Sequence, residues 1–158
     1  MSFRFFVFPS PVTVQLLKPN PHGKTFLVIE DNADTAVLVR RAFRELETCA
    51  AFVCRNNSEA KAYLLGAGMY SNRNEFPFPS AVVCDLRFGD ESGIDFLRWI
   101  KSVNENLKTL PVFILANRDS PDEIMAAKEL GATEILKKPA STENFQSMLV
   151  DLALKLCG

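Results

Sequence analysis

The chain has 158 residues, 47% of them hydrophobic and 23% charged, with a mean hydropathy of +0.04. That length and balance suit one domain with a single sizeable core and exclude a disordered chain. Eighteen Lys and Arg against nineteen Asp and Glu give a formal charge of −1, so the basic footprint of a nucleic-acid binder is absent, and no apolar stretch is long enough to span a bilayer.

Residues 1–24 differ from the rest. Phe3, Phe5, Phe6 and Phe8 and four prolines (Pro9, Pro11, Pro19, Pro21) show no helical period, and Pro19-Asn20-Pro21-His22-Gly23 reads as a linker. The apolar h-region and small-residue cleavage site of a secretory signal are absent. An extended or disordered extension is expected, the alternative being a docking strand anchored by Phe3, Phe6 and Phe8. His22 is the sole histidine, which argues against a catalytic triad, a Cys-His dyad or a histidine-based zinc site. Cys49, Cys54, Cys84 and Cys157 form no CxxC pair and lie in apolar segments. They read as buried free thiols rather than a disulfide framework, and a reducing cytoplasm is the expected location.

From Thr25 onward the pattern is regular. Thr25–Glu30 is a short apolar strand ending in acids. A helix over 34–46 follows, with Val39, Phe43 and Leu46 on one face and Arg40, Arg41 and Arg44 largely off it. Residues 51–54 form a second strand, and 58–65 a helix with Ser58 as its cap. A Pro-bearing loop over 66–79 leads to the strand 81–84 and then to Asp85. The helix 93–103 presents Phe96, Ile100 and Val103, with Trp99 at the core rim. Residues 112–115 form a fourth strand. Ser120-Pro121-Asp122-Glu123 reads as a capped helix start with a capping box, and Gly131 ends that helix. The strand 134–136, Lys138-Pro139 and a helix over 142–156, burying Phe145, Met148, Leu149, Leu152 and Leu156, complete the chain.

Strand and helix thus alternate five times. Continuously apolar strands between amphipathic helices predict an α/β fold: a doubly wound, five-stranded parallel sheet of order 2-1-3-4-5 with helices on both faces. In such sheets the chemistry lies beyond the carboxyl ends of the strands. There the sequence places Glu30 and Asp31, Asp85, Ala116 with Asn117, and Lys138. Carboxylates held close repel by roughly 4 kcal/mol per pair at about 4 Å and an effective dielectric near 20. One lysine does not neutralise three acids. A hard divalent ion such as magnesium, joined by a phosphoryl group, would balance the charge, and aspartate is itself a competent nucleophile for phosphoryl groups.

Four segments, FLVIEDN (26–32), VVCDLRFGDESGIDFLRWIK (82–101), LPVFILA (110–116) and GATEILKKPAS (131–141), together resemble the receiver domains of bacterial two-component response regulators. The resemblance covers 25–156, and YLLGAGMYSNRNEFPFPSAVVCDL with NLKTLPVFIL is similar to single-domain regulators that partner bacterial phytochromes and related kinases. It implies a flavodoxin-like receiver domain over 25–158 with Asp85 as phosphoacceptor. Magnesium is expected on Asp31, Glu30 (through water), Asp85 and the backbone carbonyl of Arg87. Lys138 is expected to pair with the phosphoryl group, beside a cis Lys138-Pro139 bond.

Two positions depart from the family pattern. Ala116 stands where a Thr or Ser hydroxyl is usual, and Ile135 where an aromatic switch residue is usual. Losing one hydrogen bond to a charged group costs roughly 1.5–3 kcal/mol, about tenfold to a hundredfold in rate, so slower phosphorylation and an atypical switch are expected. Asn117 is expected to narrow access to Asp85. Arg87 and Arg118 either hold an anion at the mouth of the site or are solvated surface charges. Gly89 stands in for a common proline and is expected to loosen its loop.

With one helix after Pro139, output is expected through protein contact. The implied partner is a sensor histidine kinase, of the bacteriophytochrome kind or otherwise, or a phosphotransfer protein. A homodimer is expected through the last two helices and fifth strand, where Val150 and Leu154 lie off the apolar stripe. Nucleic acid and membrane are not expected partners, and no enzymatic activity is expected: a metal-dependent phosphatase would want a second Asp where Arg87 stands. The competing reading is a degenerate receiver that binds partners without phosphate.

Overall fold

The computed structural model describes residues 23–117 and 120–157; the extension before Gly23, and Arg118, lie outside them. Five parallel strands form the sheet: β1 (Lys24–Ile29), β2 (Cys49–Cys54), β3 (Ala81–Asp85), β6 (Val112–Ala116) and β7 (Glu134–Lys137). Their order is β2-β1-β3-β6-β7, the expected 2-1-3-4-5 once the short antiparallel hairpin β4 (Arg87–Phe88) and β5 (Glu91–Ser92) is set aside. The helices are α1 (Ala33–Arg44), α2 (Asn57–Leu65), α3 (Gly93–Val103), α4 (Glu105–Lys108), α5 (Pro121–Glu129) and α6 (Thr142–Cys157).

Strand side chains alternate between two cores, as the two-residue period of a pleated sheet requires. Leu27, Ile29, Val82, Cys84, Val112 and Ile114 pack with Tyr63, Phe96, Leu97 and Ile100 from α2 and α3. Phe26, Val28, Val83, Phe113 and Leu115 face the other way, onto Val39 and Phe43 of α1 and Phe145 and Leu149 of α6. Both faces are thereby covered, and the strand ends emerge from between them.

Several expectations change at the level of local structure. The second helix is capped by Asn56, whose side chain accepts from the Glu59 N–H at 2.8 Å, and Ser58 lies inside it. Val103 is exposed because α3 ends there, and Leu97 takes the buried position. Ser120 precedes α5 without capping it by its side chain. On α6, Leu154 is exposed, whereas Val150 packs against the second core. Among the described residues no helix is long and apolar enough to cross a membrane.

The cysteines are not all free. Cys49, opening β2, is bonded to Cys157, closing α6, across 108 residues. Tertiary packing brings them together: α6 lies against α1, and the Lys24 ammonium donates to the Leu156 carbonyl at the same end. No local spacing announces such a pair, and cysteine usage no longer argues for a reducing compartment. Cys54 and Cys84 remain buried thiols, and burial pushes both up from the ordinary thiol range. The unfolded, unreduced protein is therefore expected to titrate with two thiols and the native protein with none. Cys157→Ser should lower stability to urea by about 2–4 kcal/mol, the usual effect of opening a long loop.

Candidate functional site

The first strand ends at Ile29, and the next residue turns its side chain into the fold. Glu30 is only 3% exposed; its N–H continues the ladder to the Cys54 carbonyl, and its Oε1 accepts from the Asn32 N–H at 3.0 Å. Asn32 then caps α1 by accepting from the Thr35 N–H. Two successive roles, strand end and helix cap, thus fix the residues on either side of Asp31, which is exposed. The Asp31 carboxylate lies beside the hairpin: a Cβ added at Gly89 would sit 3.4 Å from its Oδ2.

Asp85 closes β3 and is buried. The chain leaves it with the Leu86 N–H donating to the Leu115 carbonyl, and the Gly93 N–H donates back to the Leu86 carbonyl at 2.8 Å. That closure brings α3 so near that a Cβ at position 93 would lie 2.4 Å from the Asp85 carbonyl oxygen. Gly93 is therefore part of the site's scaffold, readable beforehand only as the glycine of a helix start.

Lys138 follows β7, its N–H donating to the Ala116 carbonyl. Its ammonium donates to Asp85 Oδ2 at 2.7 Å and to Glu30 Oε2 at 3.2 Å. No peptide bond among the described residues is cis, so the expected cis Lys138-Pro139 bond is trans. The extended ladder delivers the lysine to the two carboxylates with that geometry.

Above Asp85 opens a crevice of about 320 Å³ lined by Asp85, Leu86, Arg87, Leu115, Asn117, Ser120 and Lys138. Asn117 is one of its lining residues. Arg87 is exposed, and its guanidinium grips Glu123 of α5, with Nε to Oε2 at 2.9 Å and Nη2 to Oε1 at 2.6 Å. Glu123, read from sequence as half of a capping box, is instead this partner. Ala116 presents a buried methyl group. Ile135 lies beside a separate cleft of about 230 Å³ with Ile124, Lys128 and Leu136.

Charge explains the chemistry of this arrangement. Burial raises the Glu30 carboxyl above its ordinary value of 4.5, and its hydrogen bond and repulsion with Asp85 raise it further; the Asn32 N–H and Lys138 offset only part of this. Burial pulls Lys138 down, but Asp85 and Glu30 together outweigh it and hold the ammonium above 10.5. One cation thus serves two buried carboxylates, leaving a surplus of one negative charge. No three acidic, thiol or imidazole side chains among the described residues gather closely enough to hold a metal unaided.

A buried Asp at the third strand's end, bonded to a lysine from the last, is the constellation the motifs implied. The family model described as the response regulator receiver domain matches residues 26–150. The chain belongs to that family. It is similar to the response regulator Rcp1 of Synechocystis sp., 27% identical over 127 residues that cover 80% of this chain and 84% of that protein. Its fold is similar to the crystal structure of the phosphorylated cyanobacterial phytochrome response regulator RcpA (TM-score 0.74, 25% identity, 82% of this chain and 91% of that one). It is also similar to the Mn(2+)-bound form of Rcp1 (TM-score 0.71, 26% identity, 82% and 91%).

Replacing Lys138 by Met leaves both carboxylates buried without their cation, and is expected to cost about 3 kcal/mol at neutral pH. A carboxyl whose folded value is raised contributes stability present below its ordinary value and lost as pH rises through the raised one. The penalty for Lys138→Met, measured by urea unfolding in metal-free buffer, should therefore shrink as pH falls toward 4.5. A penalty constant with pH would contradict the shared-cation geometry.

Proposed function

We propose that this chain accepts a phosphoryl group on Asp85 in a magnesium-dependent reaction with a sensor histidine kinase or phosphotransfer protein, and passes the signal on by protein contact. The observation that carries this reading is the Asp85 carboxylate, held 2.7 Å from the Lys138 ammonium at the base of an open crevice. An oxygen of Asp85 attacks phosphorus in line, and the bond from phosphorus to the histidine nitrogen or acyl oxygen breaks. The leaving group departs with the electron pair and, for histidine, takes up a proton. Lys138 offsets charge on the phosphoryl oxygens without having to move far.

For a divalent ion the crevice offers hard oxygen donors on Glu30, Asp31 and Asp85 and the backbone carbonyl of Arg87. Its surplus negative charge fits magnesium, which takes one or two carboxylates and keeps several waters. When bound, that ion would supply further neutralisation of the phosphoryl oxygens. Support for the partner comes from RcpA, a phytochrome response regulator, so a phytochrome-type kinase is the proposed donor.

A second reading, a receiver that binds its partners without phosphate, is favoured by Ala116 and Ile135, which bring neither a hydroxyl nor an aromatic ring to the switch positions. Intact mass after incubation with acetyl phosphate and magnesium separates the two. Gain of one phosphoryl group, lost in Asp85→Asn and on chelation of magnesium, is the expected result. An unchanged mass at every magnesium concentration would favour the phosphate-independent module.

A further inference from the structure

The pair formed by Arg87 and Glu123 spans 36 residues of sequence and ties the hairpin that follows Asp85 to the first turn of α5. It is bidentate, yet exposed, with 69% of the Arg87 side chain accessible. Packing therefore does not lock it, and its partner is open to exchange. The Arg87 guanidinium holds the Glu123 carboxyl below its ordinary range. The cations lining the crevice, among the described residues, are Lys138 and Arg87, and Lys138 already serves two carboxylates.

A phosphoryl group on Asp85 would add about −1.5 to −2 charges and three acceptor oxygens to this crevice. A guanidinium fork matches a phosphoryl group as well as it matches a carboxylate, and the higher charge favours the former. The same charge repels Glu123. Attraction of one partner and repulsion of the other act in the same direction.

We propose that Arg87 and Glu123 form a phosphate-responsive clasp, in which Arg87 leaves Glu123 for a phosphoryl group on Asp85 and so releases the first turn of α5. The clasp rests on the reading of Asp85 as acceptor. It gives the chain a route from crevice to helix that needs neither a hydroxyl at Ala116 nor an aromatic ring at Ile135. The face it alters begins at Pro121 and continues to Ile124 and Lys128, beside the cleft next to Ile135.

Hydrogen exchange of the amides of residues 122–125, read by mass spectrometry before and after acetyl phosphate treatment, tests the clasp, with phosphoryl gain followed on the same samples. In the wild-type chain, exchange there should quicken about threefold on phosphorylation, the scale of an exposed ion pair. Glu123→Gln, which lacks the charged partner, should start fast and show no further change while gaining the same phosphoryl mass. Phosphoryl gain without quickening in the wild type would overturn the clasp and leave the acceptor standing. Full phosphorylation-dependent quickening in Glu123→Gln would do the same. No phosphoryl gain in the wild type would remove the acceptor reading and the clasp with it.

Discussion

Two carboxylates buried at the carboxyl edge of a parallel sheet share one ammonium, and the site is organised around that imbalance. Glu30 and Asp85 are each nearly inaccessible, so water does not screen them, and burial together with Asp85 raises the cost of ionising Glu30. Lys138 reaches both only because β7 runs parallel to β6 and ends level with it. The sheet order matters for the same reason: β1 and β3 are neighbours, which sets the two acids side by side, and β7 lies beyond β6 on the same side of β1. A fold that did not bring these three strand ends together would not hold the arrangement.

The scaffold around the site follows from that need. Gly93 allows α3 to begin against the Asp85 carbonyl, where any side chain would collide with backbone. Asn32 takes over as a helix cap as soon as the strand has delivered Glu30, so the acid pair stands on a short, well-tied turn. The crevice that remains is polar at its floor and open at its mouth. Arg87, which lines it, is ion-paired to Glu123, so the partners are held by different elements, the β4-β5 hairpin and α5. In a receiver domain lacking a hydroxyl at 116 and an aromatic ring at 135, such a pair is where charge in the crevice and the position of a helix meet.

The fold was legible because its signals are local and repeated. Runs such as Phe26 to Ile29 and Ala81 to Cys84 are apolar at every position, which marks strands covered on both sides, and the acids just after them stand out against that background. The central pair of Asp85 and Lys138 was legible for the same reason. What was not legible depends on contacts between distant segments. Cys49 and Cys157 lie at the ends of elements whose packing is set by α1 and α6 together, and no spacing rule connects them. Glu123 looks like a capping residue because Ser120 precedes it at the right interval; the attraction of a guanidinium 36 residues away engages it instead. Asn56 displaced Ser58 as a cap because both are suitable and helix starts are set within a residue or two by neighbouring strands. The trans bond before Pro139 is likewise beyond reach of the sequence, since the cis form is what the family resemblance implies.

The central claim is that Glu30 and Asp85 contend for one cation in a buried site, and a residue-resolved titration addresses it most directly. Carbon-detected NMR of the Glu30 carboxyl in metal-free protein, compared between the wild type and Asp85→Asn, reads the interaction without denaturant or ligand. The account predicts that Glu30 titrates above 4.5 in the wild type and moves back toward that value when the charge at 85 is removed. A Glu30 that titrates at or below 4.5, or that is unmoved by Asp85→Asn, would contradict it.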